Sequence, residues 1–272
     1  MTGPDVRALP ADPRTLGSRL AGAPLVVLLD VDGTLAPIAP RPEDASVPAP
    51  TRAAVAALAR ARDVHVAVVS GRGAADARQL VGVDGVWAIG NHGLETINPD
   101  GQLSIDQRVR AWEDALRSVR SGAEEAAALV PGALVEDKGA TLSIHYRLAD
   151  AADVPQLERA VATAAERAGL RVTRGRKIIE VRPPLAVDKG TAVLALAERL
   201  GATERSASIL FAGDDTTDED AMAALRGLHA DAVTIHVEGE EPRATRAEFR
   251  ASSTAELGKW LAALAAMRGG GE

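Results

Sequence analysis

The stretch that most constrains this chain is Leu25 to Leu35, which reads LVVLLDVDGTL. Its first five residues, Leu25 to Leu29, have the length and branching of a buried β-strand. The run stops at Asp30, Asp32 follows two residues later, and Gly33 and Thr34 break the pattern. Open α/β sheets bind ligands at the carboxyl ends of their parallel strands, and Asp30 sits at such an end. Residues two apart in an extended chain point the same way. Asp30 and Asp32 therefore share one face if the extended conformation continues past the strand. Two carboxylates held that close repel each other, and a bound cation allows both to stay ionised.

The same grammar recurs. Ala36 to Pro50 holds five prolines and reads as a loop, and Thr51 is expected to cap a helix over 52–62. Val64 to Val69 is a second apolar run ending in Ser70-Gly71-Arg72-Gly73, and a helix over 74–80 follows it. Val86 to Ile89 is a third run, ending in Gly90-Asn91-His92-Gly93. Strands separated by helices imply right-handed βαβ units and a parallel sheet, which gathers the polar turns on one edge.

From about Leu94 the pattern changes. A hairpin over 94–105 leads into a long amphipathic helix over 106–129. Strand-like runs follow at 133–137 and 141–147, then a helix over 153–168 that stops at Gly169. Two more runs, at 170–173 and 177–181, flank Arg174-Gly175-Arg176. This αββαββ order predicts a small antiparallel sheet with its helices on one face. The core grammar returns after Pro183-Pro184, with a helix from Lys189, a strand over 208–212 ending in GDDTTD, a helix over 219–225, a strand over 232–237 and a last helix over 254–267. The expected fold is α/β, a Rossmann-like parallel core over residues 1–99 and 187–272 interrupted by a smaller α/β cap domain over 100–186.

Composition narrows the function. Hydrophobic residues make up 46% of the 272 and aromatics only 2%, so Ala, Val and Leu must fill the core. A net charge of −7 argues against a nucleic-acid binder that relies on a basic surface. With no Cys, a metal must be bound through oxygen or His, and the Asp-rich motifs favour a hard cation such as Mg²⁺. The absence of an apolar leader or membrane-length run points to a cytoplasmic chain with no membrane partner. The last residues, 268–272, are expected to fray.

Asp30, Asp32, Ser70, Lys189, Asp214 and Asp218 thus fall at the ends of core elements, in the pattern phosphoryl transfer requires. A carboxylate can accept the phosphoryl group, and a second can protonate the leaving oxygen and then deprotonate water. A divalent ion and positive donors neutralise the phosphoryl oxygens. Asp30 would attack, Asp32 would be the acid and base, Asp214 would complete a Mg²⁺ site, and Ser70 and Lys189 would bind the phosphoryl group. Each residue taken alone also fits a turn former, helix cap or solvated lysine; their common position and order favour the catalytic reading.

DVDGTL, Ser70-Gly71-Arg72, Lys189-Gly190 and GDDTTDE resemble the four motifs of the haloacid-dehalogenase phosphohydrolases. DVDGTLAPI, GNHGLE, KGATLSIHYR, Glu180-Val181-Arg182-Pro183 and GDDTTDED narrow the resemblance to the trehalose-6-phosphate phosphatase family, over about residues 25–240. The resemblance implies a Mg²⁺ ion held by the Asp30 carboxylate, the Asp32 backbone carbonyl and Asp214, with Asp218 in an outer shell. It implies a mobile cap whose Lys138, His145, Arg147 and Glu180 recognise the sugar, with Arg72, His92 and Glu95 contributing from the core. His145 and Arg147 alternate on a strand, which a solvated cap surface would also show. The implied reaction is hydrolysis of trehalose 6-phosphate through an aspartyl phosphate, with a separate synthase supplying the substrate. A phosphatase for sucrose phosphate or mannosylglycerate phosphate, a phosphoryl transferase or mutase, and a non-catalytic phosphosugar-binding module are the alternatives. His65, His229 and His236 carry no assigned role.

Overall fold

The structure, a computed structural model, describes residues 6–175, 177–239 and 243–269. Along the first part of the chain come β1 (Arg7–Ala8), β2 (Leu25–Leu29), α1 (Ala49–Arg60), β3 (Val64–Val69), α2 (Ala74–Val81), β4 (Trp87–Gly90), β5 (Glu95–Ile97) and β6 (Leu103–Ile105). Then follow α3 (Glu113–Ala128), β7 (Leu134–Asp137), β8 (Leu142–His145), α4 (Val154–Arg167), β9 (Arg171–Gly175) and β10 (Ile178–Arg182). The last part holds α5 (Lys189–Arg199), β11 (Ser208–Gly213), α6 (Thr216–Leu228), β12 (Val233–Val237), β13 (Phe249–Ala251) and α7 (Thr254–Gly269).

Two compact units result, one formed by Met1–Ala39, Asp44–Ser104 and Val187–Glu272, the other by Pro40–Glu43 and Ile105–Ala186. In the larger unit the strands run β1-β13-β12-β11-β2-β3-β4-β5-β6. Pairing is parallel from β1 through β4, and β5 turns antiparallel against β4. The expected parallel core is therefore present. β2 lies inside it between β11 and β3, and all five of its side chains are buried.

The alternation of β2 explains its all-apolar sequence. Leu25, Val27 and Leu29 face one cluster with Val55 and Leu58 of α1, Ala77 of α2 and Leu261 of α7. Val26 and Leu28 face the opposite cluster with Val193 and Leu196 of α5 and Met222 and Leu225 of α6. A strand covered by helices on both sides has no polar face to offer. The register pairs Leu29 with Ala212 of β11 and Val68 of β3, so the residues that follow these three strands emerge at one level.

The smaller unit forms a separate antiparallel sheet in the order β7-β8-β10-β9. Leu142, Ile144, Ile179 and Val181 on one face bury against Leu116 and Val119 of α3 and Leu157 and Val161 of α4. The other face carries the cross-strand row Glu136, Ser143, Glu180 and Thr173.

Several local expectations are corrected. α1 starts at Ala49 behind Pro48, which makes no side-chain cap, and Thr51 is buried within the helix. Proline is tolerated in a first helical turn because its missing N–H had no helical partner there. The helix expected over 106–129 divides: Asp106 accepts from the Arg108 N–H and starts a 3-10 segment over Gln107–Trp112, and α3 begins only at Glu113. β1, β13 and the 3-10 segment Pro13–Leu20 are too short or irregular for a periodicity argument. Of the tail expected to fray, Arg268 and Gly269 close α7 and 270–272 lie outside the described residues, as does Arg176.

Candidate active site

The carboxyl ends of β2, β3, β4 and β11 supply the site, and α5 adds a lysine from its first residue. Asp30 follows β2 with 4% exposure, and its N–H donates to the Ala212 carbonyl of β11 at 2.9 Å. Asp188 caps α5 by accepting the Thr191 N–H at 2.7 Å, and Lys189 enters the interior as the next residue. The Lys189 ammonium donates to Asp30 Oδ1 at 2.7 Å and to Asp218 Oδ1 at 2.8 Å. Asp218 Oδ2 in turn accepts the N–H groups of Asp214 and Asp215, each at 3.0 Å, as the acid of the capping box that starts α6. One carboxylate thus fixes both the Asp214 loop and the lysine.

Asp30, Asp214 and Asp218 are all buried, and each offers an oxygen within 4.8 Å of the others. One ammonium against three carboxylates leaves an excess negative charge. Burial first, then the charge of Asp218 and more weakly of Asp214, pushes the Asp30 carboxyl well above its usual range, against the pull of Lys189. Burial alone would lower Lys189, but the charges of Asp218 and Asp30 outweigh it and hold the ammonium well above its usual value. An all-oxygen, net-negative buried cluster fits a hard divalent cation. Gly33 makes the approach possible: at φ +86° a β-carbon on it would lie 2.2 Å from Asp214 Oδ2.

The loop after β3 is held by the loop after β4. Ser70 is buried; its N–H donates to the Ile89 carbonyl at 2.9 Å and its carbonyl accepts the His92 N–H at 3.2 Å. The Asn91 N–H donates to the Arg72 carbonyl at 2.7 Å. Asn91 and His92 adopt φ of 49° and 54°, a left-handed conformation uncommon for residues other than glycine. Glu95 braces this arrangement. Its Oε1 accepts Asn91 Nδ2 at 2.6 Å and its Oε2 accepts the Ala74 N–H at 2.8 Å, at the start of α2. Glu95 was expected to touch substrate; in the structure both its oxygens serve the core unit itself. The Arg72 guanidinium pairs with Asp32 and Asp76.

Within the smaller unit, His145 Nε2 lies 2.7 Å from Glu136 Oε2, and Lys138 Nζ lies 3.8 Å from the same oxygen. Thr173 donates to Glu180 Oε2 at 3.4 Å, a weak bond. Arg147 does not continue the strand face with His145: β8 ends at His145, and Arg147 is exposed in the turn beyond. Glu136 was missed by the sequence reading. It stands on β7 next to Val135, which packs into the unit's core, so alternation turns Glu136 to the opposite face.

Residues 28–255 match the family model for trehalose-phosphatase. The chain is 38% identical over 250 residues to the trehalose-phosphate phosphatase of Mycobacterium avium (strain 104), covering 90% of this chain and 63% of that protein. It is 39% identical over 249 residues to an uncharacterized glycosyl hydrolase of Mycobacterium tuberculosis (strain ATCC 25618 / H37Rv), covering 90% of this chain and 18% of that protein. The chain thus spans less than two thirds of the length of these curated relatives. The C-terminal domain of C. albicans trehalose-6-phosphate phosphatase shares the fold, with a TM-score of 0.80 at 22% identity, covering 96% of this chain and 98% of that one. A trehalose-6-phosphate phosphatase related protein superposes with a TM-score of 0.75 at 26% identity, covering 89% of this chain and 97% of that one. With the family match running from β2 into α7, the chain belongs to the trehalose-phosphatase family.

Proposed function

We propose that this chain hydrolyses trehalose 6-phosphate to trehalose and phosphate by way of a phosphorylated Asp30. The observation that carries the reading is the lysine-bridged cluster: Lys189 joins Asp30, at the end of the central strand β2, to Asp218, which holds the Asp214 loop. In this reading an Asp30 oxygen attacks phosphorus as the bond to the sugar oxygen breaks. Asp32 gives that oxygen its proton. Asp32 then takes a proton from the water that attacks phosphorus, which releases phosphate and restores the Asp30 carboxylate. Ser70 and Lys189 bind the phosphoryl oxygens, and Lys189 supplies positive charge where negative charge develops. Mg²⁺ fits the buried carboxylates; Asp30, Asp214 and the Asp32 carbonyl would hold it, and when bound it supplies charge neutralisation.

Sugar recognition is assigned to the smaller unit: Glu136, His145 and Glu180 on the polar face of its sheet, and Lys138 and Arg147 beyond the ends of β7 and β8. Charged groups placed to hydrogen-bond hydroxyls reject analogues that lack them. His92 is assigned a contact from the core side. The substrate would come from a separate reaction that joins a sugar phosphate to a second sugar. The test is phosphate release from trehalose 6-phosphate with magnesium, after chelation, and after magnesium is restored. Release, loss and recovery are expected; release indifferent to the chelator contradicts the metal assignment, and no release contradicts the activity.

A further inference from the structure

Asp32 is held by a fork. Arg72 Nε donates to Asp32 Oδ2 at 2.7 Å and Arg72 Nη2 donates to Asp32 Oδ1 at 2.9 Å. The third guanidinium nitrogen, Nη1, donates to Asp76 Oδ2 at 2.8 Å, in the first turn of α2. The backbone of Arg72 is fixed as well, its N–H on Ser70 Oγ at 3.1 Å and its carbonyl accepting from Asn91. Its side chain is only 11% exposed. The guanidinium is thus placed from both ends, and Glu95 holds the start of the helix that carries Asp76.

The terminal torsion of an aspartate is broad and roughly two-fold, so the chain alone does not aim the carboxyl group. A bidentate guanidinium fixes both its plane and its direction, which the point charge of a lysine cannot do. An acid must stand within hydrogen-bond reach of the atom it protonates, and a misplacement of about 1 Å costs about 10²-fold in rate. We propose that Arg72, anchored by Asp76, is a positioning residue that aims Asp32 at the leaving oxygen. This rests on the reading of Asp32 as acid and base, and it reassigns Arg72 from a substrate contact to a support. When Asp32 carries its proton on one oxygen, the other stays bonded to the guanidinium, and Asp76 keeps that guanidinium in place.

Leaving-group dependence separates this role from its rivals. Phenyl phosphate leaves as a phenolate whose conjugate acid has a pKa of about 10, as in tyrosine; p-nitrophenyl phosphate has a similar shape and a far better leaving group, which needs little protonation. kcat/KM for both esters and for trehalose 6-phosphate is measured with wild type, Arg72→Lys, Asp76→Asn and Asp32→Asn. Arg72→Lys is expected to lose about 10²-fold on phenyl phosphate and several-fold less on p-nitrophenyl phosphate, following Asp32→Asn in direction. Asp76→Asn should show the same tilt more weakly. The ratio of the two ester rates from one sample is independent of the folded fraction, so partial misfolding cannot imitate the tilt.

Equal losses on both aryl esters would place Arg72 on the phosphoryl group and overturn the proposal. Loss confined to trehalose 6-phosphate would make it a sugar contact, with the same consequence. If Asp32→Asn itself shows no tilt, the acid role fails and the positioning role with it. If the aryl esters tilt as expected but trehalose 6-phosphate is not turned over, the substrate assignment fails and the positioning role stands.

Discussion

Gly33 meets the Asp214 carboxylate with no room for a side chain between them: a β-carbon on Gly33 would lie 2.2 Å from Asp214 Oδ2. Gly33 belongs to the loop after the central strand, Asp214 to the loop after its neighbour β11, and their contact sets how closely the two loops approach. Gly33→Ala adds both this overlap and the left-handed backbone penalty, about 1–2 kcal/mol. It should lower the melting temperature by several degrees. A shift of about 1 Å in Asp214 or Asp30 should lower kcat/KM on trehalose 6-phosphate about 10²-fold. Steady-state kinetics and thermal unfolding of the variant check both.

The buried carboxylates should make stability respond to magnesium in the absence of any substrate. At a free concentration about 100 times the dissociation constant, a ligand confined to the folded state adds about 2.7 kcal/mol. Wild type should melt at a higher temperature with magnesium than with chelator, and Asp214→Asn should lose most of that difference. Thermal unfolding of both proteins in the two conditions is the measurement; an undiminished shift in Asp214→Asn would place the cation elsewhere.

Glu180 stands on the polar face of the smaller unit's sheet, in the same cross-strand row as Glu136. If it binds sugar hydroxyls, Glu180→Ala should lower kcat/KM on trehalose 6-phosphate about 10- to 100-fold, the worth of one or two charged hydrogen bonds. The same variant should leave p-nitrophenyl phosphate nearly untouched. Equal losses on the two substrates would make Glu180 a support of the fold.

An acid-sensitive contact lies away from the site. The hydrogen bond from Arg19 holds the Glu248 carboxyl below its usual value, burial opposes the shift, and the charges of Arg19 and Arg7 add to it. Arg19 Nη1 donates to Glu248 Oε1 at 2.8 Å. A carboxyl depressed in the folded state stabilises the protein fully above its unfolded pKa, about 4.3. That contribution is lost as pH falls through the lower folded value. The difference in melting temperature between wild type and Glu248→Gln should therefore be constant from neutral pH down to about 5 and shrink below about 4.3. A difference unchanged down to the acid limit would show that the ion pair contributes nothing.

The core unit was readable because its signals are local. LVVLL has no polar position, so it had to be a strand covered on both faces, and whatever followed it had to stand at a sheet edge. The αββαββ order likewise announced a second sheet by its change of grammar. Contacts without a period were not readable. Arg72 meets Asp32 across forty residues of sequence, and only the three-dimensional structure shows the fork between them. Glu95, the last residue of GNHGLE, was given a substrate contact by resemblance, and the structure puts its two oxygens on Asn91 and Ala74. Arg147 was misplaced because apolar alternation carries no mark for where a strand's last ladder bond falls. Glu136 did carry a signal, its alternation with Val135 along β7, which was not used.

The claim that organises the rest is that Asp30 becomes phosphorylated. The direct measurement is an acid quench within one turnover of the protein mixed with trehalose 6-phosphate carrying radiolabelled phosphorus, in the presence of magnesium. The account predicts label on the wild-type protein, released by hydroxylamine as an acyl phosphate must be, and none on Asp30→Asn. Phosphate released at the normal rate by Asp30→Asn, or label retained by it, would contradict the account.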